Sequence, residues 1–254
     1  MIIILSWNCC CGCAAAAEKP VTLNGDAPFV LSPEAQEQKQ DLIQQITDCK
    51  ERMKYATMLK TAAYGLGYNN SHSIIVTAAQ EWNNANQKCN ELQNDLNAIV
   101  AEEKAWDARL AEYPAATTIW IYLKLLGYND YVCAGILGNM MAECGGGTLN
   151  LKTNIVSADG GYYGICQWSR GYGSAVWNKD LDGQLNHLRD TIQKEFKTFG
   201  NLYQRGFTFD KFLSLSDCRS AAVAFAKVYE RCASKHINIR ADYAEKAFKY
   251  YAAS

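Results

Sequence analysis

Between Ile75 and Leu110 the chain repeats its core-type residues at alternating spacings of three and four for five heptads: Ile75, Ala78, Trp82, Ala85, Cys89, Leu92, Leu96, Ile99, Glu103, Trp106 and Leu110. Only Glu103 in this series is charged. Wound at about 3.6 residues per turn, such a series lies along one helix face and needs a second apolar face to cover it. A helix from Ser73 to Glu112 would be about 60 Å long at about 1.5 Å per residue. The partner precedes it: from Glu34 to Tyr64, Leu42, Ile46, Cys49, Met53, Ala56 and Ala63 follow the same alternation, with Lys60 in one slot. Gly65 to Ser71 interrupts the two runs, with glycine to end one helix and Ser71 or Ser73 to cap the next. The pattern predicts an antiparallel coiled-coil hairpin over residues 34–113, a spacer or assembly surface. Cys49 and Cys89 lie 20 residues either side of Asn69 in the turn. They should therefore face each other, as a disulfide or as two packed thiols.

Residues 1–33 read differently. Met1 to Trp7 is apolar, but too short to cross a bilayer and without the basic start of a secretory signal. It runs into Cys9, Cys10, Cys11 and Cys13, for which lipid attachment and burial in a larger assembly are alternative uses. Pro20, Pro28 and Pro33 mark the stretch that follows as a linker, and Ser32-Pro33-Glu34 as a helix start.

After Tyr113-Pro114 the pattern changes to an aromatic-rich region, residues 115–254, expected to be a separate domain. Its 16 Lys and Arg against 12 Asp and Glu make it basic, whereas the preceding part has 9 against 14. The basic residues are not clustered, which argues against nucleic acid as a partner. Helices are expected over Thr117 to Leu126 and Asp130 to Met141, then loops and a small β-hairpin. Eight of the 18 glycines fall between Gly145 and Gly173, around Tyr162-Tyr163-Gly164-Ile165-Cys166-Gln167-Trp168. Helical stripes resume with Leu185, Leu188 and Ile192, and with Ala222, Phe225, Ala226 and Tyr229. Of the eleven cysteines, the seven beyond Cys13 are scattered without the paired short spacings of a zinc site, and no metal or other cofactor is expected.

Glu143 closes an apolar helix just before Cys144-Gly145-Gly146-Gly147. A carboxyl there should be partly desolvated and hold its proton, as a general acid for glycosidic cleavage must. The downstream Gly-Tyr-Tyr-Gly-Ile-Cys-Gln-Trp segment offers amide hydrogen bonds and flat faces suited to sugars, from Tyr163, Gln167 and Trp168. A second carboxyl would activate water across the sugar, and Asp159, ahead of this segment, is the best-placed candidate.

These motifs in order resemble a family. They are Ile119-Trp120-x-Tyr122-Leu123; Gly127-x-x-Asp130-Tyr131-x-x-Ala134-Gly135-Ile136-Leu137-Gly138-Asn139-x-x-x-Glu143; the Gly161 to Trp168 segment; Asp182-Gly183-Gln184-Leu185; and Tyr229-Glu230-Arg231. Together they look like the phage tail-associated lysozymes, related to goose-type lysozymes and lytic transglycosylases. The resemblance covers residues 117–254. It implies a lysozyme-like α+β domain with Glu143 as catalytic acid and Gly164, Ile165 and Gln167 lining the sugar cleft, so that with the helical hairpin before it the chain is expected to be mainly α. Glu230 and Arg231 are expected to form a structural ion pair. Cys144 and Cys166 depart from the residues usual in the family at those places. The implied activity is that of a muramidase cutting the MurNAc–GlcNAc β-1,4 bond of peptidoglycan, carried in a virion tail for local wall penetration. Assembly partners would bind the helical hairpin, self-association and membrane contact being open. Alternatives are a lytic transglycosylase of a secretion or conjugation system in the cell envelope, and a structural tail protein that only binds glycan.

Overall fold

In the computed structural model, residues 33–252 are described. The N-terminal cysteine run, the proline-marked linker and Ser32 lie outside them. Helix α1 (Pro33–Gly65) and helix α2 (Ser73–Glu112) pack along their lengths. The ion pairs Lys39–Glu103 and Arg52–Glu81 join early α1 to late α2 and later α1 to early α2, so the pair is antiparallel. Leu42, Ile46, Cys49 and Leu92 are buried together, with Cys89, Leu96 and Ile99 packed against them. Cys49 and Cys89 thus meet in one cluster as expected, but as free thiols and not as a disulfide.

Two seam positions depart from the expected pattern. Glu103 occupies its core slot by pairing with Lys39 at 2.6 Å. Trp82 stands 38% exposed. Its seam neighbours Ala78 and Ala85 are 2% exposed, and helices packed that closely leave no room for an indole. The cap of α2 is neither serine: His72 Nδ1 accepts from the Ile74 N–H, while Asn69 Oδ1 accepts from the Ser71 N–H and hydroxyl.

Helix α3 (Pro114–Leu125) begins directly after Tyr113. The described residues form two compact units. One holds residues 33–126 and 148–151, so α3 groups with the helical hairpin, and the other holds 127–147 and 152–252.

The second unit is built on helix α4 (Asp130–Cys144). Every residue from Val132 to Met141 is buried, so this helix is apolar on all sides and must be covered all round. Helices α7 (Cys218–Val228) and α8 (Ile237–Tyr251) supply the cover. Two glycines permit their approach. A Cβ on Gly135 would lie 2.6 Å from Ala221 Cβ, and one on Gly138 would lie 2.5 Å from the Ala244 nitrogen. Asn129 caps α4 by accepting from the Val132 N–H, and donates to the Leu213 and Leu215 carbonyls. Helix α5 (Leu181–Phe199) buries Leu185, Leu188 and Ile192, and the short α6 (Phe209–Leu213) follows it. The small sheet is β1 (Tyr162–Tyr163) against β2 (Trp168–Ser169), antiparallel, with Tyr162 opposite Ser169 and Tyr163 opposite Trp168. The fold is mainly helical with this one small β-hairpin among the described residues.

Candidate active site

Glu143 sits in the last turn of α4, and its side chain keeps 19% of its exposure. It does not stand alone in an apolar setting, as the sequence suggests. Arg240 of α8 contacts it through Nη2, making an ion pair. Arg240 is itself only 6% exposed and also reaches Asn139 through Nη1, at 3.3 Å from Oδ1 and 3.4 Å from the carbonyl. Asn139, fully buried, donates to the Gly135 and Ala222 carbonyls. The carboxylate is therefore fixed by a guanidinium whose own anchor is bonded into α4 and α7.

A second carboxyl joins the same cluster. Glu230 follows α7 and is half-buried, and its Oε1 is buried without a hydrogen-bond partner. Burial, and then the negative charge of Glu143, push it up to about 8, against the opposing pull of Arg240, a hydrogen bond from the Cys166 thiol and Arg231. Burial likewise raises Cys144 to about 12 and Cys166 well above the ordinary thiol value, so both are protonated thiols. The expected Glu230–Arg231 ion pair is not formed. Arg231 takes a left-handed conformation, φ 50°, and turns to Glu195, with Nη1 to Oε2 at 2.5 Å. A one-residue reversal of the chain sends the two neighbours to different partners.

The β-hairpin presents fewer side chains than its sequence suggests. Tyr163, Ile165 and Trp168 are buried. The Tyr163 hydroxyl donates to the Lys179 carbonyl, and the Trp168 indole N–H to the Tyr229 hydroxyl, which shares a hydrogen bond with Thr191. Tyr162 is the exposed ring, at 46%. Gln167, half-buried with φ 46°, donates its side-chain amide to the Ile155 and Gly164 carbonyls, closing the loop on itself. Gly164 has φ 82°, and a Cβ there would overlap the Gln184 amide. Gln184, fully buried, accepts from the Ile165 N–H and donates to the Thr153 and Lys179 carbonyls, so the Asp-Gly-Gln-Leu motif works as a clamp on the β-hairpin.

Asp159 is exposed and closes a turn. Its Oδ1 accepts from the Ser157 hydroxyl at 2.5 Å and the Gly161 N–H at 2.9 Å, which together hold it below the usual carboxylate range. A cavity of about 580 Å³ between α5 and α6, lined by Lys194, Lys197, Phe207 and Phe209 among others, includes neither Glu143 nor any residue of the β-hairpin. Among the described residues no cluster of three or more His, Cys, Asp or Glu could hold a metal ion.

Residues 114–251 match the family model of the phage tail lysozymes. The chain belongs to that family. The match begins at α3 and takes in Glu143, the β-hairpin, Gln184, Glu230 and Arg240, so the whole cluster lies within family territory. Membership carries a lysozyme-like function on peptidoglycan. The chain matches no curated protein and no solved structure. Sequence reasoning passed over Arg240 and gave Glu230 a different role. The signal for Arg240 was present: it interrupts the stripe Ile237, Ala241, Ala244, Ala247 and Tyr251, all buried. A charged residue on the core face of a helix needs a buried partner.

Proposed function

We propose that this protein is a muramidase that cuts the MurNAc–GlcNAc β-1,4 bond of peptidoglycan, with Glu143 protonating the leaving oxygen. The observation that carries the reading is Glu143 itself: a carboxyl at the end of a buried helix, held by a buried arginine and still partly open to solvent. Gly164 and Gln167 lie nearest the glycan, and Tyr163, Ile165 and Trp168 shape the β-hairpin from beneath. Asp159, ionised in its turn, activates the water. The helical hairpin, a coiled coil along its seam, is the attachment to a virion tail, where the enzyme opens the wall locally. Residues 115–254 act as the catalytic domain in this scheme.

Turbidity clearing of purified peptidoglycan tests the acid. Glu143→Gln keeps the shape of the side chain and removes its proton, so clearing should fall by about 10²- to 10⁴-fold. Equal clearing by both proteins would overturn the assignment. Mass spectrometry of the released fragments identifies the reaction, since reducing ends mark hydrolysis and anhydro ends transglycosylation. Asp159→Asn should slow clearing while leaving the turn intact, and an unchanged rate removes Asp159 from the scheme.

A further inference from the structure

Four elements of the second unit converge behind Glu143: the end of α4, the loop between β1 and β2, the segment after α7, and α8. Glu143 pairs with the buried guanidinium of Arg240, and Glu230, whose Oε1 is buried without a hydrogen-bond partner, feels the charges of both. The remaining titratable groups that interact with Glu230 are the thiols of Cys144, Cys166 and Cys232, the Tyr229 hydroxyl, and Arg231, whose guanidinium is committed to Glu195. Two buried atoms of these residues lack hydrogen-bond partners, Glu230 Oε1 and Arg240 Nε. Two carboxylates against one cation would leave a negative charge uncompensated in a closed space, and such a site is made neutral most cheaply by one proton.

Resting on Glu143 as the acid, we propose that the cleavage proton belongs to the Glu143–Glu230 pair beside Arg240, and that Glu230 is a positioning residue whose proton lets Glu143 carry one when substrate arrives. At rest the cluster holds a guanidinium, one carboxylate and one carboxylic acid, with no net charge. When the glycosidic oxygen takes the proton from Glu143, both carboxyls are ionised and the cluster carries one net negative charge. That charge develops as the anomeric carbon becomes positive. Water, giving its proton to Asp159, adds to that carbon, and a proton from solvent restores the pair. The raised value of Glu230, near 8, is what a shared proton of this kind requires.

The test is the pH dependence of kcat/KM on purified peptidoglycan. The wild type should lose activity through an alkaline limb near pH 8. Glu230→Gln takes away the second negative charge and leaves Glu143 alone with Arg240, so the limb near pH 8 should move down. Cys166→Ala removes a hydrogen bond that favours ionised Glu230 and should move the limb up. A purely structural Glu230 would lower activity at every pH and leave the limb in place, which overturns the proposal. Carbon-13 NMR of wild-type protein labelled at its glutamate carboxyls needs no variant: one buried carboxyl should titrate near pH 8. If none titrates above about pH 6, the shared proton is absent, whether or not Glu143 is essential. Loss of clearing in Glu143→Gln tests the acid separately, so the two readings can fail independently.

Discussion

The helical hairpin and the α4 unit place their charges in opposite settings. Across α1 and α2, Arg52 and Glu81 pair with 59% and 39% of their side chains exposed, and water competes for both. In the α4 unit Arg240 keeps 7% of its side-chain exposure and Glu143 19%, with the Oε1 of Glu230 buried and unpartnered. The first kind of pair adds little to stability, about 0–1 kcal/mol. The second kind is costly to bury and costly to break. The hairpin's charges keep a long surface soluble, whereas the cluster's charges are set where a reaction can use them.

The sharpest way to break this contrast is to remove the buried cation. Arg240→Met leaves two carboxyls without a counter-charge, and urea unfolding should show a loss of about 3–5 kcal/mol. A smaller loss would mean that the cluster is wetter than its burial implies. Next comes pH. Glu230 holds its proton up to about 8 in the folded protein but only to about 4.5 when unfolded, so the folded state binds more protons between those values. Stability should therefore be fully present below about pH 4.5 and decline on the order of a few kcal/mol as pH rises to about 8. Glu230→Gln should flatten that decline, and calorimetry at several pH values would show whether it does. Gly138→Ala follows, at about 1–3 kcal/mol, since its new Cβ meets the backbone of α8, which cannot swing aside as a side chain can. The smallest effect is expected in the hairpin: Glu81→Gln should cost less than about 1 kcal/mol, and a larger value would erase the distinction between the two regions.

How much could be read from the sequence follows the same division. A seam made of one residue type at one period is local information, and α2 runs from Ser73 to Glu112 as its spacing predicts. What spacing cannot convey is local geometry at single residues: the His72 cap depends on a ring nitrogen, and the Trp82 exclusion on the closeness of two helices. In the α4 unit, the apolar helix, Glu143 at its end and the small β-hairpin were all legible. The cluster around Glu143 was not, because Arg240 is 97 residues away and no short motif surrounds it. Glu230 and Arg231 are adjacent and opposite in charge, so they read as a pair. The positive φ that separates them has no signature in a residue such as arginine, which seldom adopts it. The aromatic residues of the β-hairpin read as faces for sugar, and Trp168 and Tyr163 instead spend their polar atoms on internal hydrogen bonds.

The thiols of the fold make the two regions measurable in one sample. Cys49 and Cys89 lie in the helical hairpin, and Cys133, Cys144, Cys166 and Cys218 are buried in the α4 unit. A protonated, enclosed thiol is inert to alkylation until its surroundings open. Site-resolved labelling over time would thus act as a set of internal clocks, each reporting how often its own neighbourhood comes apart.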